Sequence, residues 1–554
     1  MKARIVKSLQ KATGIKEIHL EFPEKEAHGD YSTNIALVSA KKKKRKPKEL
    51  AEEIIKKLQK DKDLAKIVSK IEVAGPGFIN FFLSKEALLG ELKQVPKEKN
   101  SYGKSNIFKS KRIMVEFAHP NTHKPFHIGH LRNITTGEVI VRILEAVGAK
   151  VIRVNYQGDV GLHIAKAIWG IKKTGFSDPK DIEKRMDYLG RAYVVGNSAY
   201  EKNDKSKGEI GRINRDLYKG EDKKLIKLYQ TTRKWSLDYF DKIYKRVYTK
   251  FDRLYFESEV ANPGKTIALE ALKKGILIRS KGAIIYPGEK KGLHNRVFVT
   301  SEGLATYEAK DLGLAKLQFA EFKPDLILHV VGPEQKEYFE VLFKALEEIN
   351  PTTKGKEVHL IYGWVRLKEG KMASREGKVV LGDWLINEIK REIIETYKTP
   401  EKIAEQVAIA AVKYSFLKPS LSQEIAFDIE ESISLDGNSG PYLQYTYART
   451  QSVLRKAKAQ DTKYNKQDIN DEETFLLRSF PRFSETIIDA AKNYSPNLLA
   501  NYLFDLAQKY NNFYNQHRII GSENQGLRIM LTIAVGQILK NGLTLLGIKT
   551  PERM

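Results

Sequence analysis

A β-prone apolar run, KRIMVEFAH (111–119), breaks at Pro120-Asn121 and passes through Gly129 into a helical stretch ending near Gly148. KVIRVNYQ (150–157) then reads as a second strand, and helical spacing resumes from about Leu162. Strand, helix, strand, helix commits the chain to parallel strands, because each crossover returns it to the same end of the sheet. Two further buried-strand candidates, KPDLILHVVG (323–332) and VHLIYGWV (358–365), alternate with helical stretches. The expectation is an α/β, doubly wound parallel-sheet domain over 108–385. A charged, Tyr-rich, mostly helical stretch at about 172–298 reads as an insertion into it.

The flanks differ from this core. Residues 1–95 read as a small α/β domain, closing on KIEVAGPGFINFFLS with a turn at Gly75-Pro76-Gly77. Within it, seven of the eight residues 41–48 are basic. A solvated loop before a helix begun by Pro47 and a phosphate-contacting patch fit that run equally well. From about 386 strand signals disappear. Residues 386–437 read as stem or connecting helices, and 438–554 as an all-α helical bundle. In the bundle, Ser495 can cap a helix and Pro496 takes its first position. Leu499, Tyr502, Leu503, Leu506, Ala507, Tyr510, Phe513 and Tyr514 then follow helical spacing. No internal repeat is seen.

Composition narrows the function. Lys plus Arg number 96 against 69 Asp plus Glu, a net charge of +27, which favours an anionic partner, nucleic acid first. The absence of cysteine excludes disulfides, Cys-ligated zinc, iron–sulfur clusters and a thiol nucleophile. The N-terminus is amphipathic, with charges too frequent for a signal peptide, and no run of 18 uncharged apolar residues occurs. The expected protein is soluble and cytoplasmic, with no membrane partner.

Two motifs carry chemistry. His127-Ile128-Gly129-His130 follows a strand and opens a helix, where unpaired N–H groups and the positive end of the helix dipole suit a phosphate gaining charge. Ordinary structural histidines at a turn are the alternative. Lys371-Met372-Ala373-Ser374-Arg375 lies in LKEGKMASREGKVVLGD, where Gly370 and Gly377 allow motion and Lys368, Lys371, Arg375 and Lys378 supply charge. Such a loop can close over a triphosphate and neutralise leaving pyrophosphate.

Together and in this order, the motifs resemble the HIGH and KMSKS pair of class I aminoacyl-tRNA synthetases. The resemblance narrows to arginyl-tRNA synthetases through VEFAHPNTHKPFHIGHLRN, NYQGDVG, TYEAKDLG, VVGPEQKEYF, KMASREG, GPYLQYTYAR and the ending LLGIKTPERM. EAHGDYSTNIALVSAKK and EVAGPGFINFFL look like that family's N-terminal domain. The likeness runs nearly end to end and is weakest across 172–298.

The resemblance implies a Rossmann-like catalytic domain, an N-terminal tRNA-binding domain and a helical anticodon-binding domain. It implies activation of L-arginine with ATP, usually dependent on bound tRNA, then transfer to the 2′-hydroxyl of the terminal adenosine of tRNA-Arg. ATP would be a substrate accompanied by Mg2+, with no zinc and no permanent cofactor, in a monomer. His127, His130, Lys124 and Lys371 would be catalytic. Gly129, Gly158, Asp159, Gly161, Met372 and Ser374 would join His127, His130 and Lys371 around ATP. Glu116, Asn121, Tyr307, Asp311 and Gln335 match the arginine-binding pattern; carboxylates and planar acceptors suit a guanidinium fork. Tyr442, Tyr445, Tyr514 and Met554 are anticodon-side candidates as stacking surfaces, with aromatic core as the alternative.

Three departures stand out. Ser374 replaces the second lysine of KMSKS; in this family a lysine upstream of HIGH can substitute, and Lys124 is there. Gly158-Asp159-Val160-Gly161-Leu162-His163 replaces the common GDWGTQ. Ala118-His119 stands where small serines are frequent. A synthetase for another amino acid, an HxGH nucleotidyltransferase of metabolism and a catalytically dead RNA-binding protein are the competing readings.

Overall fold

The computed structural model describes residues 1–23, 25–368, 380–457 and 469–554. Its centre is a five-stranded, wholly parallel sheet of β1 (Arg112–Glu116), β2 (Lys150–Gln157), β3 (Arg253–Phe256), β4 (Leu326–Val331) and β5 (Glu357–Ile361), in the order β5-β4-β1-β2-β3. The chain winds outward from β1 through β2 to β3, then returns to lay β4 on the other side of β1. The switch point therefore lies between β1 and β4, where open α/β sheets form a crevice at the strands' carboxyl ends. Helices α1 (Ile128–Ala146), α2 (Leu162–Thr174), α3 (Tyr307–Phe322) and α4 (Lys336–Ile349) are parts of the crossovers. Inward residues such as Met114, Val115, Val154, Ile327, Leu328 and Val330 are fully buried. This matches near-continuous apolar strands covered on both faces.

The block 172–298 is not one insertion. Arg253–Phe256 is a strand of the central sheet, in register with β2 from Val154↔Arg253 to Gln157↔Phe256. Four residues at a sheet edge, with Tyr255 alone fully buried, carry too little alternation to stand out from helical surroundings. Two separate additions result. Helices Ile182–Lys202, Asp204–Lys219 and Lys223–Arg246 precede β3, and an antiparallel sheet of Ile278–Ser280, Ala283–Tyr286 and Arg296–Val299 lies before α3.

Strands also do not end at 386. Ile425–Phe427 pairs in parallel with Val365–Leu367, so VHLIYGWV contributes to two different sheets. Three-residue strands leave almost no periodic signal. In the N-terminal unit the hairpin Val68–Ala74/Phe78–Leu83 turns at the expected glycines. Gly77 has φ +138°, and a Cβ there would lie 2.9 Å from Pro47 Cβ, so glycine lets the turn pack on the start of helix Pro47–Leu58. The basic run is not wholly a loop, since helix Ile35–Lys43 continues through Lys43.

The bundle contains Gly440–Lys456, Asp471–Asn493, Pro496–Gln516 and Gln525–Leu545. Ser495 occupies the N-cap of the third helix without capping it; its hydroxyl donates to the Asn493 carbonyl, 2.9 Å away. The N-terminal unit is docked on this bundle. Tyr31 donates to Glu485 (2.8 Å) and Arg478 to Asp30 (2.6 Å). No helix among the described residues is long and apolar enough to cross a membrane.

Candidate active site at the sheet switch point

The segment from β1 to α1 carries the first motif, and its backbone is strained. Ala118, His119 and His123 have φ of 82°, 50° and 62°. A left-handed conformation costs a non-glycine residue about 1–2 kcal/mol, so surrounding contacts must hold it. They do. Ala118 N–H donates to Asn133 Oδ1 (2.6 Å), His119 N–H to Asn155 Oδ1 (3.1 Å) and Thr122 N–H to the Gly158 carbonyl (2.9 Å). His123 N–H donates to Ser236 Oγ, and its ring Nε2 meets Thr232 Oγ1 at 2.7 Å. Burial drives the His123 pKa down to about 3, so this ring is a neutral strut. Ser236 and Thr232 come from the added helix Lys223–Arg246, a link of more than one hundred residues that local sequence does not announce.

His127 and His130 cap α1. Gly129 N–H donates to His127 Nδ1 (3.1 Å), and His127 N–H donates to His130 Nδ1 (3.2 Å). The two rings stack with centroids 3.7 Å apart. A Cβ on Gly129 would lie 2.9 Å from His127 Cε1, so glycine lets that ring fold over the helix start. Because each Nδ1 accepts, each neutral ring carries its proton on Nε2. Burial first, then the Lys124 charge, lowers the His127 pKa; burial and the neighbouring histidines and Lys124 hold His130 well below the usual value. The motif thus offers two neutral Nε2–H donors at the positive end of a helix. Below it, buried Arg132 donates to the carbonyls of Trp364 (2.8 Å), Leu421 (3.1 Å) and Gln423 (2.8 Å). That anchors α1 to the strand pair Val365–Leu367/Ile425–Phe427, whose two strands lie on either side of the second motif in the sequence. Lys371, Met372, Ser374 and Arg375 lie outside the described residues.

Lys124 is half-buried, and no ion pair to it occurs among the described residues. Burial, then Lys166, pushes its pKa down, while Glu257 opposes the shift. Its charge acts on His127, His130 and His163. His163, standing where the family pattern has glutamine, has a pKa lowered to about 3 by burial, and its Nε2 has no partner among the described residues.

Asp159, expected beside ATP, is braced from within the protein. Its fully buried carboxylate accepts from Ser258 N–H (2.9 Å), Ser258 Oγ (2.8 Å), Arg233 Nε (2.9 Å) and Tyr229 Oη (3.3 Å). Those bonds tie the turn after β2 to the start of helix Glu257–Lys273 and to helix Lys223–Arg246. The turn's glycines are steric necessities. A Cβ at Gly158 would lie 2.1 Å from Asn121 Oδ1, and Gly161 has φ +119°.

Tyr307 and Asp311 lie one turn apart on α3. Tyr307 is 61% exposed, and Asp311 Oδ2 accepts from Tyr338 Oη at 2.5 Å. Burial pushes the Asp311 carboxyl up to about 8, with Glu116 adding to the rise. Tyr156 Oη, buried nearby, has no partner among the described residues. Half-buried Asn121 stands against Gly158, and Gln335 is exposed at the start of α4. Glu116 is buried; one oxygen accepts from Gln318 Nε2 (2.5 Å) and the other faces His329 Nδ1 (3.0 Å). Each oxygen thus has a protein partner, and Glu116 lines a small cavity together with Asp311. Sequence reasoning also passed over the buried Lys310–Glu257 pair (2.5 Å) between Tyr307 and the Gly158 turn.

In the bundle, a cavity of about 550 Å³ is lined by Tyr442, Tyr445, Arg449, Lys509 and several asparagines. Tyr442, expected as a stacking surface, lies at the edge of the core and of this cavity. It is buried, and its Oη accepts from Asn511 Nδ2 at 2.9 Å. Tyr445 and Tyr514 instead flank the Arg449 guanidinium, 4.9 Å from each ring centroid. Met554 is exposed at the end of a tail held by Gln444 on Lys549 O (2.7 Å) and Arg455 on Glu552 O (3.3 Å).

Comparison with known proteins agrees with this geography. Residues 91–429 match the family described as tRNA synthetases class I (R), catalytic domain. Residues 443–554 match the DALR anticodon binding domain, and 1–83 the arginyl tRNA synthetase N-terminal domain. An arginine–tRNA ligase of Borrelia duttonii is 33% identical over 580 aligned positions, covering 100% of this chain and 98% of the relative. One from Treponema denticola is 34% identical, covering 97% and 95%. The Thermus thermophilus arginyl-tRNA synthetase structure superposes with TM-score 0.83 at 25% identity, covering 100% of both chains. The Plasmodium falciparum arginyl-tRNA synthetase shares the fold with TM-score 0.82 at 23% identity, covering 100% of this chain and 98% of that one. A parallel sheet with histidine donors at its switch point, flanked by these two domains and matched along its length, places the chain in the arginyl-tRNA synthetase family of class I.

Proposed function

We propose that this chain is an arginine–tRNA ligase. The arginine carboxylate attacks the α-phosphorus of ATP, the bond to pyrophosphate breaks, and arginyl-adenylate forms. The arginyl group then passes to the 2′-hydroxyl of the terminal adenosine of tRNA-Arg, and AMP leaves. What carries the reading is one juxtaposition: two neutral Nε2–H donors at the start of α1, just after β1, and the half-buried carboxyl of Asp311 on α3, the helix that leads into β4, so that both border the β1–β4 switch point. Donors fixed in advance stabilise charge that grows on the phosphate oxygens. A carboxylate in a low-dielectric wall pairs with a guanidinium. Lys124, and Lys371 from the second motif, hold the leaving phosphates. Mg2+ enters with the nucleotide, as that ion commonly does. Among the described residues no group of three metal-binding side chains occurs, so no step is assigned to a resident metal.

The N-terminal unit meets the tRNA elbow. The Tyr445–Arg449–Tyr514 stack meets an unpaired anticodon base, because rings and guanidinium planes both stack on bases. The enzyme works as a cytoplasmic monomer. The test is ATP–pyrophosphate exchange with each amino acid, with and without tRNA-Arg. Exchange with arginine alone among them, raised by the tRNA, is expected; exchange with another amino acid, or none at all, removes the proposal.

Two further results are expected. The Asp311 carboxyl titrates near 8 in the empty site, and a guanidinium pairs with its ionised form. Below that pH, arginine must displace a proton. The KM for arginine should therefore fall by up to about tenfold per unit as pH rises toward 8 and level off above it. The KM for ATP should not follow. Separately, the affinity for tRNA-Arg should fall steeply with salt, with a slope of about −0.7 per neutralised phosphate in single strands and more in duplex. Neutralising 41–48 should flatten that slope; an unchanged slope leaves the run a solvated surface.

A further inference from the structure

Beneath the pocket lies a buried ion cluster that the reaction does not use directly. His329 on β4 is 5% exposed, with Phe339 and Phe343 packed on its ring at 5.2 and 5.5 Å. Its Nδ1 faces Glu116 Oε1 at 3.0 Å and its Nε2 faces Glu357 Oε2 at 2.6 Å. The sheet register puts Glu116 of β1 directly beside His329, with Glu357 on β5. A neutral imidazole has one N–H and one lone pair, so one of these short contacts would set lone pair against carboxylate. Only the imidazolium donates to both. A small cavity of about 20 Å³ joins the cluster to the substrate side, lined by Glu116, Asp311, Gln318, His329 and Glu357.

Three carboxyls and one imidazole thus share a poorly solvated space. Charges in such a space are strongly coupled, and like charges raise one another's pKa. His329 opposes the rise in Asp311, whereas Glu116 adds to it. We propose that His329, held as an imidazolium between Glu116 and Glu357, is a positioning residue for specificity that cancels the Glu116 charge and so eases ionisation of the Asp311 carboxyl when the guanidinium binds. The proposal rests on the reading of Asp311 as the arginine carboxylate. The other groups around His329 are His119 after β1, Tyr156 of β2, His359 of β5 and Tyr338 of α4. Of these, Tyr338 already donates to Asp311 and Tyr156 adds no positive charge. His119 and His359 have pKa values lowered chiefly by burial and are neutral near pH 7. His329 is therefore the cation in the cluster.

The experiment measures KM for arginine and for ATP against pH, by ATP–pyrophosphate exchange with tRNA-Arg, in the full chain. In His329→Gln the arginine limb near 8 should move up by at least about one unit. Arginine KM at pH 7 should then rise about tenfold or more, with ATP KM unchanged. Glu116→Gln/His329→Gln removes one charge of each sign and should bring the limb back. A merely structural histidine would leave the limb in place. An unmoved limb in His329→Gln, or a displaced limb in the double variant, overturns the proposal. Should His329→Gln not fold, the charge-balanced double variant carries the test alone, and its failure to fold also overturns the proposal. Asp311→Asn separates the two possible failures. An unchanged arginine KM and limb there overturns the pocket assignment and the proposal with it. A raised KM there beside an unmoved limb in His329→Gln overturns the proposal alone.

Discussion

Lys124→Ala should lower the rate of arginyl-adenylate formation by about 10²-fold or more, the scale for removing one preorganised donor and equal to about 2.7 kcal/mol. Pyrophosphate departs with charge spreading over its oxygens, and cations must meet it. Ser374 cannot supply the second ammonium that the usual KMSKS motif brings. Lys124 lies three residues before His127 and six before His130, without a carboxylate partner among the described residues, and its charge is felt by both of them. A half-buried ammonium left unpaired in a positive neighbourhood is costly unless an anion arrives to pair with it. Burial lowers the Lys124 pKa, and a bound polyphosphate would raise it again. Arginine KM should change little in the variant, which separates this role from the pocket. Ser374→Lys in the same background should restore part of the rate. If Lys124→Ala activates arginine at a near-normal rate, the compensation idea fails and Arg375 becomes the candidate cation.

Lysine should be activated about 10⁴–10⁵ times less efficiently than arginine, with no hydrolytic correction. A wall built to pair with a substrate's donors is left with unmet buried groups when an analogue lacks them, and selectivity of that size follows. Here the unmet groups would be the second oxygen of Asp311, which lines the small cavity, and the hydroxyl of Tyr156, buried without a partner among the described residues. A lysine ammonium is a compact point donor on a flexible stem and cannot span acceptors that a planar fork reaches together. No segment of the sequence resembles an editing domain. The check is kcat/KM for both amino acids, together with incubation of lysyl-tRNA with the protein. Rapid release of lysyl-adenylate or hydrolysis of lysyl-tRNA would contradict single-step selection.

The alternation of β1, α1, β2 and α2 was legible because long apolar strands and a 19-residue helix carry their period plainly. β3 was not, since four edge residues with one buried ring hold no period. The donor histidines were legible because a helix start is a local event. The fate of the carboxylates was not, because partners decide it. Asp159 and Glu116 look like site residues in a motif, yet Arg233 and Ser258 claim the first, and His329 and Gln318 the second, from segments far along the chain. The setting of Tyr442 was hidden for a similar reason: helical spacing places it on a face but does not say that Asn511 waits behind it. Residue type and local pattern thus marked where the candidate residues sit, while long-range packing decided which of their polar groups are already paired within the protein.

The stacked histidines at the start of α1 use the same two Nδ1 lone pairs for architecture that leave their Nε2 hydrogens for chemistry. Acid therefore strikes both at once. A proton on either Nδ1 turns an acceptor into a donor aimed at a backbone N–H, so the first turn of the helix loses its fastening in the same event that disarms the site. Both rings have folded pKa values below the free value, so this stability is present above the ordinary histidine range and drains away as pH falls toward the folded values. Inactivation in acid is then a fraying of one helix end rather than the titration of a catalytic base, and a bound polyphosphate, by occupying the same end, would act as a splint against it.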